Sequence, residues 1–147
     1  MAKMYQINSG KRMGNRAAGW MIDLNLAPAS YYLLTVPGRK SGKPHTTPVI
    51  LVEQSGVRWL VAPYGDVNWV LNARAAGKVT LSRRRKAQVF HIEEVGPETA
   101  APVLKAYLQS VRVVRSYFDC QPDAPLEDFI AESSRHPVFR LVPVTQG

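Results

Sequence analysis

The chain predicts an α+β domain built on an antiparallel β-barrel with flanking helices. Three observations carry this. Five or six short apolar and β-branched runs are punctuated by Gly and Pro, the pattern of strands joined by tight turns. Helical periodicity is confined to a few separate segments between those runs. At 147 residues, 46% hydrophobic and 20% charged, the chain has the size and composition of one globular domain with a real core.

Taken in order, residues 1–10 show no pattern and are expected to be loose. Between Lys11 and Leu26, apolar Met13, Ala17, Trp20, Met21 and Leu24 fall at helical spacing, with Lys11, Arg12 and Arg16 elsewhere. A basic amphipathic helix over 11–27 follows, ended by Pro28. Packing on the barrel is its ordinary explanation, and peripheral contact with a membrane surface is the alternative. The barrel and its inserted helices occupy 31–145, so that 11–147 form one domain.

Leu33–Val36 and Thr47–Val52 read as two strands flanking the connector Pro37–His45. Glu53–Gly56 is a turn, and Val57–Val61 a strand running into Ala62-Pro63. After the loop Tyr64-Gly65-Asp66, Asp66 is placed to cap a short helix Val67–Ala75 that Gly77 closes. Strands Lys78–Ser82 and Ala87–Val95 enclose Arg83-Arg84-Arg85-Lys86, which puts four cations at a hairpin tip. Pro97 and Glu98 open a helix to about Val111, with Val103, Leu104, Tyr107 and Leu108 on one face. Val113–Pro125 is irregular, Leu126–Ser133 a short helix, and Val138–Val144 the last strand.

The connector carries the clearest chemistry. Arg39, Lys40, Lys43 and His45 surround Ser41, and Gly38 and Gly42 free the backbone to aim N–H groups at one point. Such a corner suits a phosphate or carboxylate. The formal net charge of +8 also favours anionic partners. Arg83–Lys86 is either a solvated hairpin end or a second contact for a long anion. Asn68 and Asn72 lie one helical turn apart and face one direction beside Trp69.

Other chemistries find no support. Gly38–Lys43 is one residue short of a phosphate-binding P-loop, and Pro44 stands where a magnesium-binding hydroxyl is required. No G-x-G-x-x-G is present. His45, His91 and His136 lack metal-ligand spacing, so no metal is expected. Cys120 is the single cysteine, which excludes a disulfide framework and fits a reducing, cytoplasmic setting. No apolar run approaches the roughly 18 residues of a membrane span. With no nucleophile, metal or acid–base pair evident, an enzyme of this sequence needs a cofactor for the difficult step.

TVPGRKSGKPHTTPV, then VAPYGDVNWVLNARAAGKVTL, then RHPVFRLVPV closely resembles the deazaflavin-dependent nitroreductase family, actinobacterial proteins with a split β-barrel that use coenzyme F420. The resemblance runs from about Leu24 to Val144. It implies an F420-dependent oxidoreductase whose coenzyme phosphate and oligoglutamate tail lie along Arg39, Lys40, Ser41, Gly42 and Lys43. His45, Thr47 and Pro48 would line the coenzyme on the next strand. Ala62, Pro63, Tyr64 and Gly65 would border the deazaflavin ring, with Asn68, Trp69 and Asn72 on the adjoining helix.

There are two departures from the family pattern. His45 replaces a common arginine. The serine-lysine pair of the nitroimidazole-reducing members reads Pro63-Tyr64, and their tyrosine wall is thinned to Tyr117-Phe118. These departures point to quinones, conjugated enones or α,β-unsaturated lactones as hydride acceptors. Tyr64 or Tyr117 is the expected proton donor, since a phenol of ordinary pKa, about 10, is neutral at pH 7. Two alternatives are an FMN-binding split-barrel protein and a basic small barrel that binds nucleic acid, the latter resting mainly on charge and Trp59. Monomer and homodimer are both compatible with the resemblance.

Overall fold

The computed structural model describes residues 31–144. The expected helix over 11–27 lies outside them. Six antiparallel strands close into a barrel: β1 (Tyr31–Pro37), β2 (Pro44–Gln54), β3 (Val57–Val61), β4 (Lys78–Arg83), β5 (Lys86–Glu94) and β6 (Val138–Pro143). Around the barrel their order is β1-β2-β3-β6-β5-β4. Helices α1 (Asn68–Ala76), α2 (Pro97–Ser110) and α3 (Leu126–Glu132), with 3-10 turns at Arg112–Tyr117 and Ser133–Arg135, fill the connections.

Strand alternation divides the apolar residues between two cores. Leu34, Val36, Leu51, Leu60, Leu81 and Phe139 point into the barrel, together with Val70 and Ala73 of α1. Their neighbours Val52, Trp59, Val61 and Val138 point outward and are covered by α2 and α3 through Ala101, Leu104, Leu108 and Phe129. Strand β3 is therefore buried on both faces, which is why its sequence VRWLV shows no clean alternation of apolar and polar residues.

Both short hairpins have two-residue turns with left-handed backbone at each central position. Ser55 and Gly56 have φ of 57° and 73°, and Arg84 and Arg85 of 53° and 60°. That geometry matches strand twist and favours Asn-Gly. At Arg84-Arg85 it is instead imposed on two side chains that strain in it, because the flanking pair Arg83 with Lys86 fixes the register. The expected helix Val67–Ala75 runs from Asn68 to Ala76, and Gly77 closes it at φ 72° with its N–H on Ala73 O. Asp66 is not its cap. The carboxylate pairs at 3.0 Å with Arg74, which Glu94 also grips through two 2.8 Å contacts, and a side chain so engaged is turned away from the helix N-terminus.

Replacing Arg84-Arg85 by Asn-Gly should stabilise the fold by about 1 kcal/mol through relief of backbone strain. A higher urea midpoint with unchanged slope is the expected result.

Candidate active site

The turn between β1 and β2 is built by its own backbone. Gly38 N–H donates to Lys43 O at 2.8 Å, Gly42 N–H to Gly38 O at 2.9 Å, and Lys43 N–H to the Ser41 hydroxyl at 3.2 Å. Gly42 sits at φ 74°. Gly38 is needed for close approach: a Cβ there would lie 2.9 Å from His45 Nε2 and 3.0 Å from Ser41 Oγ. The imidazole and the hydroxyl thus meet over the turn.

Asn72 on α1 anchors this turn from the side. Its Oδ1 accepts from Arg39 N–H at 3.0 Å and from Arg39 Nη1 at 2.8 Å, with the amide itself buried. The guanidinium is held at a fixed place although the residue is exposed at the surface. Lys40 and Lys43 make no ion pair among the described residues.

Beside the turn opens a cavity of about 730 Å³, within the usual range for a cofactor or substrate site. Arg39, Lys40, Ser41 and His45 form its cationic end, and Thr47 and Pro48 of β2 one wall. Pro63, Tyr64, Asn68 and Trp69 also line it, and so does Asn72 beside Arg39. Trp69 leans on Phe139 with ring centres 6.2 Å apart. Five of the sequence-predicted residues do not line the cavity. Gly42 and Lys43 belong to the turn but not to the lining, a Cβ at Gly65 would meet Arg135 O at 3.4 Å, and Ala62 is wholly buried in the barrel core. Tyr117 is also off the wall and packs edge-on against Tyr64 at 4.8 Å.

Sequence reading missed much of the remaining wall. Tyr31, Ile50 and Val61 come from strands, Tyr107 and Val111 from α2 and its end, and Val113 and Val114 from the following 3-10 turn. Helical spacing had marked Tyr107 only as part of the apolar face of α2. Arg83–Lys86 is not brought to this site. The register of Leu33 with Ser82 and Thr35 with Thr80 places that hairpin tip at the barrel end opposite the β1–β2 turn.

The Pro63-Tyr64 wall is held from behind. His136 Nδ1–H donates to Pro63 O at 2.8 Å, and Nε2 faces Glu132 Oε2 at 3.2 Å. Glu132 Oε1 accepts from Asp119 N–H at 2.7 Å and from Arg135. The Phe118 ring stacks on the imidazole with centres 3.8 Å apart. Burial pushes the His136 imidazolium below its ordinary value, against the opposing pull of Pro63 O and Glu132. Cys120 is half-buried, and burial raises its thiol to about 11, so it offers no thiolate nucleophile near neutrality. Among the described residues no group of three metal-ligating side chains occurs.

The unfolded chain takes up a proton at His136 near pH 6.5, whereas the folded imidazole resists it. Its contribution is therefore undiminished above about pH 6.5 and lost as pH falls below that. Denaturation midpoints should fall more between pH 7.5 and 5.5 in the wild type than in His136→Asn. An equal fall in both would separate the effect from His136.

Comparisons with known proteins agree with this architecture. No curated protein matches the chain significantly. A solved structure described as an F420-H2 dependent reductase (FDR-A) is 24% identical over 77% of this chain and 94% of that one, with a TM-score of 0.52. Another, described as a domain-swapped dimer, is 18% identical over 90% and 92%, with a TM-score of 0.55. General stress protein 26 of Bacillus anthracis is 10% identical over 87% and 88%, with a TM-score of 0.51. At these identities the likeness shows the shared split barrel. The profile of the F420H(2)-dependent quinone reductase family matches residues 3–122, most of the chain. With the barrel, the cationic turn and that match in hand, the chain belongs to the F420H(2)-dependent quinone reductase family and is an oxidoreductase.

Proposed function

We propose that the protein transfers a hydride from reduced F420, bound in the 730 Å³ cavity, to a quinone, a conjugated enone or an α,β-unsaturated lactone. The observation that carries this is a single cavity lined both by the cations of the β1–β2 turn and by aromatic and apolar side chains. Arg39, Lys40, Ser41 and His45 fit the phosphate and acidic tail, and the backbone of Gly42 and Lys43 shapes that turn. Thr47, Pro48, Pro63, Tyr64, Asn68 and Trp69 fit the sides of a flat three-ring heterocycle.

In this reading Asn72 is a positioning residue. Its carbonyl oxygen is committed to Arg39 and thereby sets the guanidinium where the anion arrives. Ala62 and Gly65 support the loop rather than the ligand, because neither reaches the cavity. When bound, the reduced deazaflavin supplies the hydride and is itself oxidised. The walls exclude water and hold the acceptor against the ring. Tyr64, on the wall, delivers the proton that completes reduction, with Tyr117 packed edge-on behind it.

The nucleic-acid alternative loses its main aromatic. Trp59 is buried beneath α2, with Arg140 5.4 Å over its ring, and is not available to stack on a base. Among the described residues no helix is long and apolar enough to cross a membrane.

Parallel titrations with F420, FMN and NADPH test the cofactor. F420 should bind tightest, and the double variant Arg39→Ala, Lys40→Ala should bind it at least about tenfold more weakly through loss of charge-assisted hydrogen bonds. Unchanged affinity removes the turn from the site, and protein that is yellow as purified favours FMN. In turnover assays Tyr64→Phe should slow quinone reduction by about a hundredfold. Full turnover assigns the proton to water.

A further inference from the structure

Tyr107 stands in the cavity wall without a part in coenzyme binding or proton delivery. It projects from α2, is 3% exposed, and lines the cavity. Its hydroxyl has no hydrogen-bond partner among the described residues. Its electrostatic neighbours are the phenols of Tyr64 and Tyr31, which also line the cavity, so the hydroxyl end faces that space. The hydroxyl is not one of the enclosed, unpartnered polar atoms of the described residues, so it opens onto the cavity, where its O–H is free to meet a ligand acceptor. Phenylalanine would fill the same packing position among Leu104, Leu108 and Val111 but would present no donor to the cavity.

We propose that Tyr107 is the hydrogen-bond donor for a carbonyl oxygen of the electron acceptor. The inference rests on the reading of the cavity as a reductase site and deepens it. As the hydride and its electron pair reach the carbon conjugate to that carbonyl, negative charge builds on the oxygen. A fixed donor aimed at that oxygen stabilises the charge more than it stabilises the neutral ground state. The oxygen then takes up one proton, so the acceptor gains two electrons and two hydrogens while the deazaflavin is oxidised. Burial holds the Tyr107 phenol far above its ordinary value, so it donates a hydrogen bond and stays protonated, leaving proton delivery to Tyr64 or water.

The test compares 2-methyl-1,4-naphthoquinone with 2-methylnaphthalene, a hydrocarbon of the same outline without carbonyls. Binding to the coenzyme-free full-length chain is followed by quenching of tryptophan fluorescence, since Trp69 lines the cavity. The wild type should prefer the quinone by at least about tenfold, the value of one hydrogen bond to a buried donor. Tyr107→Phe should abolish most of that preference, leave hydrocarbon affinity unchanged, and unfold at the same or a higher temperature. The proposal is overturned if the wild type shows no preference, if the variant retains it, if both ligands weaken equally, or if the variant loses stability. F420 titration of both proteins keeps the two readings apart. Failure of the wild type to bind F420 removes the reductase reading and leaves the quinone preference standing on its own.

Discussion

The contact between Arg39 and Asn72 is the constraint on which the site depends. One buried amide oxygen accepts both from the backbone of the β1–β2 turn and from its guanidinium. It thereby joins a connector that would otherwise be an exposed loop to a helix whose opposite face sits in the barrel core. Val70 and Ala73 are fully buried there, so α1 cannot shift without disturbing the barrel. Precision at the cationic end is thus inherited from packing at the interior, the usual condition for a preorganised anion site.

The aromatic end is built on the same principle from another direction. His136, Glu132, Arg135 and Asp119 form a polar cluster behind the wall, with the imidazole tied to Pro63 O. The two charged or polar groups buried deepest, Glu132 and His136, are each satisfied by more than one partner, as burial of such groups demands. Between the two ends the wall is made by residues of the outer core, so that one layer of side chains both holds α2 on the barrel and shapes the cavity. This economy explains why Tyr107 and Val111 belong to the hydrophobic cluster and to the site at once.

The barrel was legible because its signals are local. Short apolar and β-branched runs, and the turn residues between them, identify the hairpins without knowledge of tertiary partners. The connector was legible for the same reason, since glycines and cations lie within nine residues. What failed was non-local. Asp66 looks like a cap until Arg74 and Glu94 are brought to it. The i,i+4 pair of Glu132 and His136 is visible in the chain, but its acceptor at Pro63 lies 73 residues away. Tyr107 follows an apolar stripe, and nothing local distinguishes a core phenol from one whose hydroxyl meets a cavity. Val113 and Val114 fall in a stretch without periodicity, because a 3-10 turn repeats neither like a helix nor like a strand.

A crystal structure with F420 bound tests the central claim most directly. The phosphate should lie within hydrogen-bonding distance of Arg39 and Lys40, and the ring between Pro48 and the wall of Tyr64 and Trp69. A coenzyme bound instead at the opposite end of the barrel, in the basic groove beside Arg58 and Arg83, would contradict it.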